Sequence, residues 1–513
     1  MRRVVWVAGG LAAVLLLVLF PLWHALLLGV NAAVHLFILG VQFVAARLPV
    51  RPPPRQLRPA AEEPFVSIHV PAHNEPPALL LETLDSLARL DWEHYEVLVM
   101  DNNTTDASLW RPVEAHCRAL GSRFKFLHAE GLKGFKAGAM NHFRRFMNPE
   151  ARFIFVVDAD YVVAPEALRR AMAYVTDASV GLVQFPQHYR NAGPGNLGVT
   201  LDYRHFFSGY MAAANRLGCV PATGTLSFIR VSALKTVGGF NTQVVTEDAA
   251  LGLQLNLAGF RTVYAPEIVG AGLMPHDLGD LKKQRWRWAF GNAQILRRHG
   301  GRIFLGRELH WKQKVGWLAH LTAWFNFNLV PSLSLLVLAG LAATGTMRPE
   351  QVYLVPVAGI TLVTFYVLRF GVLFHSLRPE GWSLREIGQG FAAHVGLGWI
   401  FSTSWVKCLW NQRAPFVRTN KFLGRVPSGL QAMTAEMLLG VAMLAATVVL
   451  GVAGFVVGTS AAVLFCLARL SILGVAREMR WTHQATMDPH PSSPERVAPV
   501  FLQVPVLKAS DAG

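Results

Sequence analysis

Acidic residues follow apolar segments in the middle of the chain. Asp101 comes after one such segment, Asp158 and Asp160 come after a second, and Glu247 and Asp248 stand side by side in a third apolar stretch. Two carboxylates two residues apart at a strand end can converge on one hard cation, and Mg²⁺ takes one or two carboxylates plus substrate phosphate oxygens. A bare Asp-x-Asp also suits a solvated turn. Its position directly after an apolar run favours a metal that neutralises a departing diphosphate.

Two further stretches carry groups that can bind phosphate. Gly131-Leu-Lys133-Gly-Phe-Lys136 places small residues and two lysines near a predicted helix start, where N–H and ammonium groups can hold a diphosphate. It is not a P-loop, because G-x-x-x-x-G-K-[ST] is absent. Gln284-Arg-Trp-Arg287-Trp288 offers an indole face for a sugar ring and a guanidinium group for a phosphate. An interfacial belt of aromatic and basic residues is the alternative for this stretch.

These residues lie in a region that has the pattern of an α/β domain. Strand-like runs alternate with helix-like segments between residues 60 and 312, which predicts a domain built on βα units. Open α/β sheets bind ligands outside the carboxyl ends of their strands, and the acidic residues follow such runs. The runs are Val66–Val70, Glu96–Met100, Arg152–Val157, Val180–Phe185, Leu226–Arg230 and Arg261–Tyr264.

The two ends of the chain are too apolar for a soluble protein. Of the 513 residues, 52% are hydrophobic and 16% are charged, against about 25% charged in soluble domains. Residues 4–46 are long enough for two spans of about 20 residues, rather than for the shorter apolar core of a signal peptide. Further spans are predicted at 315–342, 351–374, 433–457 and 459–475. The 4 cysteines have no paired spacing, which excludes a disulfide framework or a Cys-rich zinc site.

The basic residues around these spans predict their sidedness. Lys and Arg flank residues 4–46 and residues 383–412 on both sides, and such flanks stay cytoplasmic. We therefore expect 383–412 to lie in the membrane interface rather than to cross, with two spans before the catalytic domain and four after it. We expect a multi-pass protein of the inner (plasma) membrane. Its predicted parts, in chain order, are two transmembrane helices (1–50), a cytoplasmic catalytic domain (51–275), interfacial helices (276–312), four spans with the 383–425 segment (313–476) and a disordered cytoplasmic tail (477–513).

The motifs stand in an order that resembles the membrane-integrated family 2 glycosyltransferases, the group of the cellulose, chitin and hyaluronan synthases. Asp158-Ala-Asp160, Thr246-Glu-Asp248 and Gln284-x-x-Arg287-Trp288 match the D-x-D, T-E-D and Q-x-x-R-W signatures of that family. The resemblance covers roughly residues 60–425. It implies an α/β GT-A domain with a mixed, Rossmann-like sheet, inserted between transmembrane helices.

The resemblance also implies roles for individual residues. Asp101 and a first loop would hold the uridine part of a UDP-sugar, and Lys136 would contact its diphosphate. Asp158 would face the nucleotide and, with Asp160, a Mg²⁺ or Mn²⁺ ion. Asp248 would be the general base. The first loop is Pro71, Ala72, His73, Asn74 and Glu75, and Gln284, Arg287 and Trp288 would hold the diphosphate and shape the acceptor end.

Two loops of related synthases have counterparts in this sequence. Thr223, Gly224 and Thr225 lie where those synthases place an acceptor-binding loop, and Glu247 is assigned to the acceptor side with them. Phe416, Thr419 and Lys421 match the cellulose synthase gating loop F-x-V-T-x-K-G, from which Arg418 and Phe422 depart. His276 is interpreted as a solvated or capping histidine rather than a third metal ligand.

The residue types agree with an inverting transfer from a UDP-sugar, glucose by resemblance, to a β-glycoside. An acceptor hydroxyl must lose a proton as it attacks, so one carboxylate beside it must be ionised. A diphosphate leaving group is stabilised by a metal and cations, so it needs no protein acid. Three functions fit: a processive polysaccharide synthase that passes its product across the bilayer, a non-processive transferase acting on a lipid, and a transporter or scaffold with a degenerate transferase domain.

Charge and composition indicate the partners. Lys+Arg number 48 and Asp+Glu 32, and the net charge of +16 favours an anionic membrane leaflet and a UDP-sugar. There is no basic stripe in a soluble domain of the kind that binds nucleic acid. The expected partners are a UDP-sugar, a polysaccharide or lipid acceptor, the lipid bilayer and, for secretion or regulation, separate subunits.

Overall fold

The computed structural model of the protein describes residues 17–47, 63–411 and 430–487. Its strands, in chain order, are β1 (Val66–Ala72), β2 (Tyr95–Asn102), β3 (Phe124–Ala129), β4 (Phe153–Val156), β5 (Val162–Val163), β6 (Val180–Gln184), β7 (His188–Tyr189), β8 (Ser227–Arg230), β9 (Arg261–Tyr264) and β10 (Gly270–Gly272).

The α-helices, in chain order, are α1 (Pro21–Arg47), α2 (Pro77–Ala88), α3 (Ala107–Leu120), α4 (Phe135–Phe143), α5 (Ala167–Ala173), α6 (Leu197–His205), α7 (Ala212–Leu217), α8 (Val231–Thr236), α9 (Glu247–Leu257), α10 (Leu278–Leu305), α11 (Trp311–Leu321), α12 (Leu329–Ala343), α13 (Pro349–Val352), α14 (Leu354–Leu377), α15 (Leu384–Gly396), α16 (Gly398–Trp410), α17 (Thr434–Val452), α18 (Val456–Leu470) and α19 (Ile472–Met487). A π-helix, Phe206–Met211, joins α6 to α7.

The catalytic domain is built on a seven-stranded sheet in the order β3-β2-β1-β4-β8-β6-β9. Strand β8 is antiparallel to β4 and β6, and the other neighbouring pairs are parallel. The carboxyl ends of β1, β2, β3, β4, β6 and β9 therefore meet at one edge, where β8 begins. This confirms the predicted mixed, Rossmann-like sheet.

Alternating side chains of the strands pack on opposite faces of this sheet. In β2, Val97 and Val99 belong to the core under α2 and α3, whereas Leu98 and Met100 belong to the core that includes α4 and α9. All eight β2 residues are buried, because helices cover both faces. A smaller sheet, in the order β5-β10-β7, lies beyond the carboxyl end of β4.

Four helical stretches among the described residues are long and apolar enough to cross a membrane. They are Pro21–Arg47, Pro349–Glu380, Leu430–Val452 and Val456–Gln484. Large apolar side chains on them are exposed, which suits contact with lipid. The last three stretches cover the spans predicted at 351–374, 433–457 and 459–475. Most of the first of the two helices predicted in 4–46 lies outside the described residues, so that part stays a prediction.

The segment predicted as one span over 315–342 is divided instead into α11 and α12, with non-helical backbone between Thr322 and Asn328. Helix α12 has 15 residues, fewer than the roughly 20 that a span needs. Buried polar side chains from other helices bond the backbone of this break, which explains how it is tolerated among apolar helices. They are Gln42 (to Thr322 O), Arg369 (to Ala323 O and Phe325 O) and Asn31 (to Phe327 O), while His35 Nε2 accepts from Phe327 N.

The segment 383–412 forms two helices, α15 and α16, of 13 residues each. A helix of that length extends about 20 Å, which is shorter than the hydrocarbon core of about 30 Å. The interfacial placement of this segment stays a prediction. Ser383 caps α15 by accepting a hydrogen bond from Glu386 N, and Gly390 lets α15 pack closely on Leu201 of the catalytic domain.

The expectation of a disordered tail from residue 477 is wrong for residues 477–487, which belong to α19. The helix is stabilised by contacts with the catalytic domain, because Met479 and Thr482 are buried against it. Apolar content alone did not reveal these contacts, since several of the residues that make them, including Glu478 and Thr482, are polar.

Candidate active site

The parallel strands bring the predicted nucleotide residues to one edge of the sheet. Asp101 lies at the end of β2, beside Ala72 at the end of β1, and Asp158 comes two residues after β4. Pro71 and Ala72 are therefore strand residues, and the loop proper begins at His73. The sheet order, with β1 between β2 and β4, explains why motifs so far apart in sequence share one cleft.

Asp101 is anchored in the first part of this cleft. Its carboxylate accepts hydrogen bonds from Thr104 Oγ1 at 2.6 Å and from His128 Nδ1 at 2.8 Å, and His128 stacks on Trp110 with ring centroids 4.5 Å apart. Burial raises the pKa of Asp101, although both hydrogen bonds act against that rise. The arrangement holds the Asp101 carboxylate, a hydrogen-bond acceptor, beside the stacked rings of His128 and Trp110.

The loop after β1 is hydrogen-bonded to the same part of the cleft. The Asn74 N–H donates to Thr104 Oγ1 at 2.8 Å, and His73 Nδ1 donates to the carbonyl oxygen of Asn102 at 2.5 Å. Asn74 has φ 48°, a left-handed conformation that Asn tolerates better than most residues. Glu75 follows in the same loop. The predicted uridine residues are thus brought together.

Lys136 joins three of the motifs. It lies in the first turn of α4, and its ammonium group donates to Asp158 Oδ1 at 2.5 Å and to the carbonyl oxygen of Gly224 at 2.7 Å. Burial alone would lower the pKa of Lys136, but Asp158, Glu247 and Asp248 outweigh it and raise the pKa. A cation therefore sits between the D-x-D, the 223–225 loop and the T-E-D.

Gln184 shapes the 223–225 loop, and the sequence analysis missed it. Its side chain is buried at the end of β6, accepts from Thr223 N at 3.0 Å and donates to the carbonyl oxygen of Thr225 at 2.8 Å. Thr225 Oγ1 in turn accepts from Asp158 N at 3.0 Å. A polar amide inside the apolar run Val180–Phe185 was the available signal, because a buried amide must find partners.

Glu247 and Asp248 lie at the N-terminus of α9 and face the same cleft. A β-carbon built on Gly224 would stand 2.8 Å from Asp248 Oδ2 and 3.4 Å from Lys136 Nζ. Burial raises the pKa of both carboxyl groups, and the charge of Asp248 raises that of Glu247 further. Lys136 and Arg287 act in the opposite direction on both. Both groups are therefore weaker acids than solvated carboxyl groups, and the nearby cations limit that change.

The Q-x-x-R-W motif lies in α10 and completes the cleft. Burial lowers the pKa of Arg287, while the negative charges of Glu247, Asp248 and Asp158 oppose that change, so the guanidinium is within electrostatic reach of all three carboxylates. Helix α10 fits closely on the T-E-D segment, because a β-carbon on Gly291 would come within 2.3 Å of Thr246 Oγ1. The three signatures thus share one site.

Aromatic side chains extend from this site towards the membrane helices. Trp288 lies edge-on to Tyr203 with ring centroids 5.9 Å apart, and its ring is 5.6 Å from that of Trp324. Phe206 stacks on Trp324 at 5.1 Å. Trp324 belongs to the non-helical break between α11 and α12. A continuous aromatic cluster therefore connects the end of the Q-x-x-R-W motif to the helices predicted to lie in the bilayer.

Helix α6 holds the Q-x-x-R-W helix in place, and its residues were also missed. Tyr203 donates to Gln284 Oε1, and Asp202 Oδ2 lies 2.6 Å from Arg285 Nη2. Burial alone would raise the pKa of Asp202, but Arg285 and His394 outweigh it and lower the pKa to about 2. Both partners of this ion pair are buried. An Asp next to a Tyr in an otherwise apolar stretch was the only sequence signal.

Asp160 is held by backbone contacts near the smaller sheet. Its Oδ2 accepts from Leu273 N at 3.0 Å, and its carbonyl oxygen accepts from Arg190 Nη2 at 3.0 Å. No group of three His, Cys, Asp or Glu side chains that could hold a metal occurs within residues 17–47, 63–411 and 430–487. Two carboxylates nevertheless fit Mg²⁺ or Mn²⁺ when substrate phosphates complete the ligand set.

His276 is only 5% exposed, so it is not solvated, and the alternative that it caps a helix stays a prediction. Its ring lies 5.6 Å from that of His483 in α19. The gating-loop residues Phe416, Thr419 and Lys421 lie outside the described residues. Their role stays a prediction.

The mixed sheet, the gathered carboxylates and the flanking apolar helices define a class: a GT-A glycosyltransferase domain carried between helices of membrane type. Residues 63–291 match the family described as "Glycosyltransferase like family 2". This part of the chain contains all three signatures and is similar to the family 2 glycosyltransferases.

The chain is similar over longer stretches to curated proteins of that kind. It is 27% identical over 290 residues to the "Cellulose synthase catalytic subunit [UDP-forming]" of Pseudomonas fluorescens, covering 55% of this chain and 38% of that protein. It is 23% identical over 335 residues to the "Probable glucomannan 4-beta-mannosyltransferase 15" of Arabidopsis thaliana, covering 61% and 62%. The matches cover between 16% and 62% of the length of such relatives.

A solved structure shares the fold. The mannosyltransferase PcManGT from Pyrobaculum calidifontis, in complex with GDP-Man and Mn²⁺, superimposes with a TM-score of 0.52 at 20% identity. The match covers 75% of this chain and 99% of that one.

Proposed function

We propose that this chain is an inverting, metal-dependent, processive glycosyltransferase. It transfers a sugar, glucose by preference, from a UDP-sugar to a growing β-linked polysaccharide and passes the product across the membrane. The observation that carries the proposal is the convergence of Lys136, Asp158, Asp248 and Arg287 on one cleft. The cleft offers cations for a diphosphate and a carboxylate for a proton.

The cations account for the leaving group. Lys136 and Arg287 are partly buried close to carboxylates, and cations partly withdrawn from water interact with phosphate more strongly than exposed ones. A donor diphosphate would take over the bonds that Lys136 makes to Asp158 and Gly224. Asp101 and the His73–Glu75 loop lie at the far side of the same sheet edge, which suits the nucleoside end of the donor.

A divalent metal held by Asp158 and Asp160 would neutralise the charge that develops on the departing diphosphate.

Asp248 is placed for the proton transfer. In the transfer step the acceptor hydroxyl oxygen forms a bond to the anomeric carbon while the bond from that carbon to the phosphate oxygen breaks. The electron pair of the broken bond leaves with UDP, and the hydroxyl proton goes to Asp248. Burial raises the pKa of Asp248, which makes it a stronger base than a solvated carboxylate.

The acceptor would enter from the side of Trp288. The 223–225 loop borders Asp248, and within the part of the chain that the structure describes the Thr223 hydroxyl is buried without a hydrogen-bond partner. Trp288 is partly exposed and provides a face on which a sugar ring can stack, and the buried rings of Tyr203, Phe206 and Trp324 lie behind it. Their continuity towards the break in the membrane helices supports a growing chain rather than a single small acceptor. The catalytic domain would then lie on the cytoplasmic side of the inner membrane.

A panel of sugar nucleotides tests this function. The full-length protein in lipid nanodiscs is incubated with Mn²⁺ or Mg²⁺ and with UDP-glucose, UDP-N-acetylglucosamine or GDP-mannose, the last because relatives and the solved neighbour are named as mannosyltransferases. We expect UDP release and a β-linked product of many sugars. A lipid-extractable product with one added sugar would overturn processivity, and absence of nucleoside diphosphate release from every donor would overturn the proposal.

A further inference from the structure

The last predicted membrane helix continues into the catalytic domain. Helices α18 and α19 form one helical stretch, Val456–Gln484, of 29 residues. Such a stretch is about 44 Å long, against about 30 Å for a hydrocarbon core. Its final turns therefore project beyond the predicted membrane region.

A tryptophan of α19 lies on a turn made of glycines. A β-carbon on Gly195 would come within 2.3 Å of the Trp481 ring, and one on Gly193 within 2.5 Å. Neither glycine has a positive φ, so their backbone conformations do not require glycine. Glycine is required here instead because the absence of a side chain lets the indole ring of Trp481 approach the backbone closely.

A second residue on the same face of α19 caps a helix of the catalytic domain. Glu478 accepts from Gly198 N at 3.2 Å and from Val199 N at 2.7 Å, and these N–H groups belong to the first turn of α6. A carboxylate there accepts hydrogen bonds from N–H groups that have no partner within the helix. Its negative charge also interacts favourably with the positive end of the helix dipole. Helix α6 carries Asp202 and Tyr203, which hold Arg285 and Gln284 of the Q-x-x-R-W helix.

A chain of hydrogen bonds leads from α19 to Asp160. Asn196 Nδ2 donates to Thr482 Oγ1 and to the carbonyl oxygen of Asn191, at 2.8 Å each. Asn191 pairs with the backbone of Met274, accepting at 2.9 Å and donating at 3.2 Å. The preceding residue, Leu273, donates to Asp160 Oδ2. Helix α19 thus supports both sides of the site.

We propose that Glu478 and Trp481 are positioning residues through which the last membrane helix holds the Asp160 loop and the Q-x-x-R-W helix in their working positions. The inference rests on the proposed function, since it assigns α19 to the transfer site.

Substitutions in α19 test the inference in the full-length protein in nanodiscs. Trp481→Ala and Glu478→Ala remove the two contacts, Trp481→Phe and Glu478→Gln are the conservative variants, and Arg480→Ala, exposed in the same turn, is the control. Loss of an outer partner of a metal ligand typically weakens metal binding about 10- to 100-fold. We expect the apparent dissociation constant for Mn²⁺ and the apparent KM for the UDP-sugar to rise about tenfold or more. The melting temperature should stay near that of the wild type, and the conservative variants should recover part of the loss.

Two readouts do not depend on turnover. Mn²⁺ binding in the presence of UDP, followed by electron paramagnetic resonance, should weaken in Trp481→Ala but not in Arg480→Ala. Hydrogen exchange in residues 188–198 and 270–276 should become faster in Trp481→Ala but not in Arg480→Ala. A wild-type protein that transfers sugar, with unchanged constants and exchange in Trp481→Ala, would overturn the inference and leave the proposed function standing. A wild-type protein that uses no donor would overturn the proposed function.

A double variant tests the contact itself. Gly195→Ala should have the same effect as Trp481→Ala, because the added methyl group collides with the indole. The combined variant should be no worse than Trp481→Ala alone, because the group that the methyl meets is gone. Additive losses would show that Gly195 and Trp481 act independently and would overturn the inference.

Discussion

Lys136 and Asp158 form an ion pair in which the ammonium nitrogen lies 2.5 Å from Oδ1, and the same ammonium bonds the carbonyl oxygen of Gly224. The pair joins a helix start, a strand end and the loop that borders the proposed base. A donor diphosphate that enters this cleft meets a cation already positioned by the protein, which lowers the cost of ordering it.

Replacing Lys136 by Met should weaken UDP binding about 10- to 100-fold, because a hydrogen bond to a charged group contributes roughly 1.5–3 kcal/mol. Isothermal titration of UDP in the presence of Mn²⁺ measures the change. Lys235→Met is the control, since that lysine is exposed on α8, which follows β8 at the opposite edge of the sheet. Equal effects of the two substitutions would show that the pair with Asp158 has no special role.

Gly224→Ala should abolish most of the activity. Gly224 has φ +83°, and its added β-carbon would stand 2.8 Å from Asp248 Oδ2. Gly238 provides a matched control, because its φ is +82° but nothing lies within 4 Å of its β-carbon position. Both variants should lose about 1 kcal/mol of stability through backbone strain. If Gly238→Ala lost as much turnover as Gly224→Ala, strain rather than the contact with Asp248 would be responsible.

The pH dependence distinguishes the two adjacent carboxyl groups. The proposed base must be ionised, so activity should fall as the pH is lowered through the raised pKa of Asp248. Glu247→Gln removes the neighbouring carboxyl group but keeps the proposed base, so it should leave this acid limb in the profile of kcat/KM. Loss of the limb in Glu247→Gln would instead assign the base to Glu247. Profiles of both proteins with saturating metal decide between them.

Asp202→Asn should destabilise the protein by about 3–5 kcal/mol, because it leaves the buried Arg285 without its counter-charge. The exposed pair of Glu114 and Arg118 gives the control, since Glu114→Gln should cost only about 0.5 kcal/mol. Thermal unfolding in detergent measures both. The pKa of Asp202 is depressed, so its stabilisation is present above the pKa of an unfolded Asp and is lost as the pH falls through about 2. Equal losses from both substitutions would contradict this role.

The site residues were easier to predict from the sequence than the residues that hold them in position. Asp158 was identified because an acidic pair that directly follows an apolar run is costly to bury, whereas the roles of Asp248 and Arg287 came from the resemblance to the T-E-D and Q-x-x-R-W signatures. Gln184 and Asp202 have their partners 39 and 83 residues away, at Thr223 and Arg285. Nothing local in the sequence indicates such pairs.

The helical regions show the same limit. Composition located the long apolar stretches, but it did not predict the break between α11 and α12, which depends on polar side chains such as Gln42 and Arg369 from distant helices. Nor did it predict that residues 477–487 are helical, since Glu478 and Trp481 gain their partners only through the glycine-rich segment 193–198.

The most direct measurement of the central claim is sugar transfer by Asp248→Asn compared with the wild type, at saturating UDP-sugar and Mn²⁺. The variant should bind UDP as the wild type does but lose roughly 10²- to 10⁴-fold in kcat, because the acceptor proton has no base to receive it. Unchanged kcat in Asp248→Asn, with transfer by the wild type established in the same assay, would contradict the account.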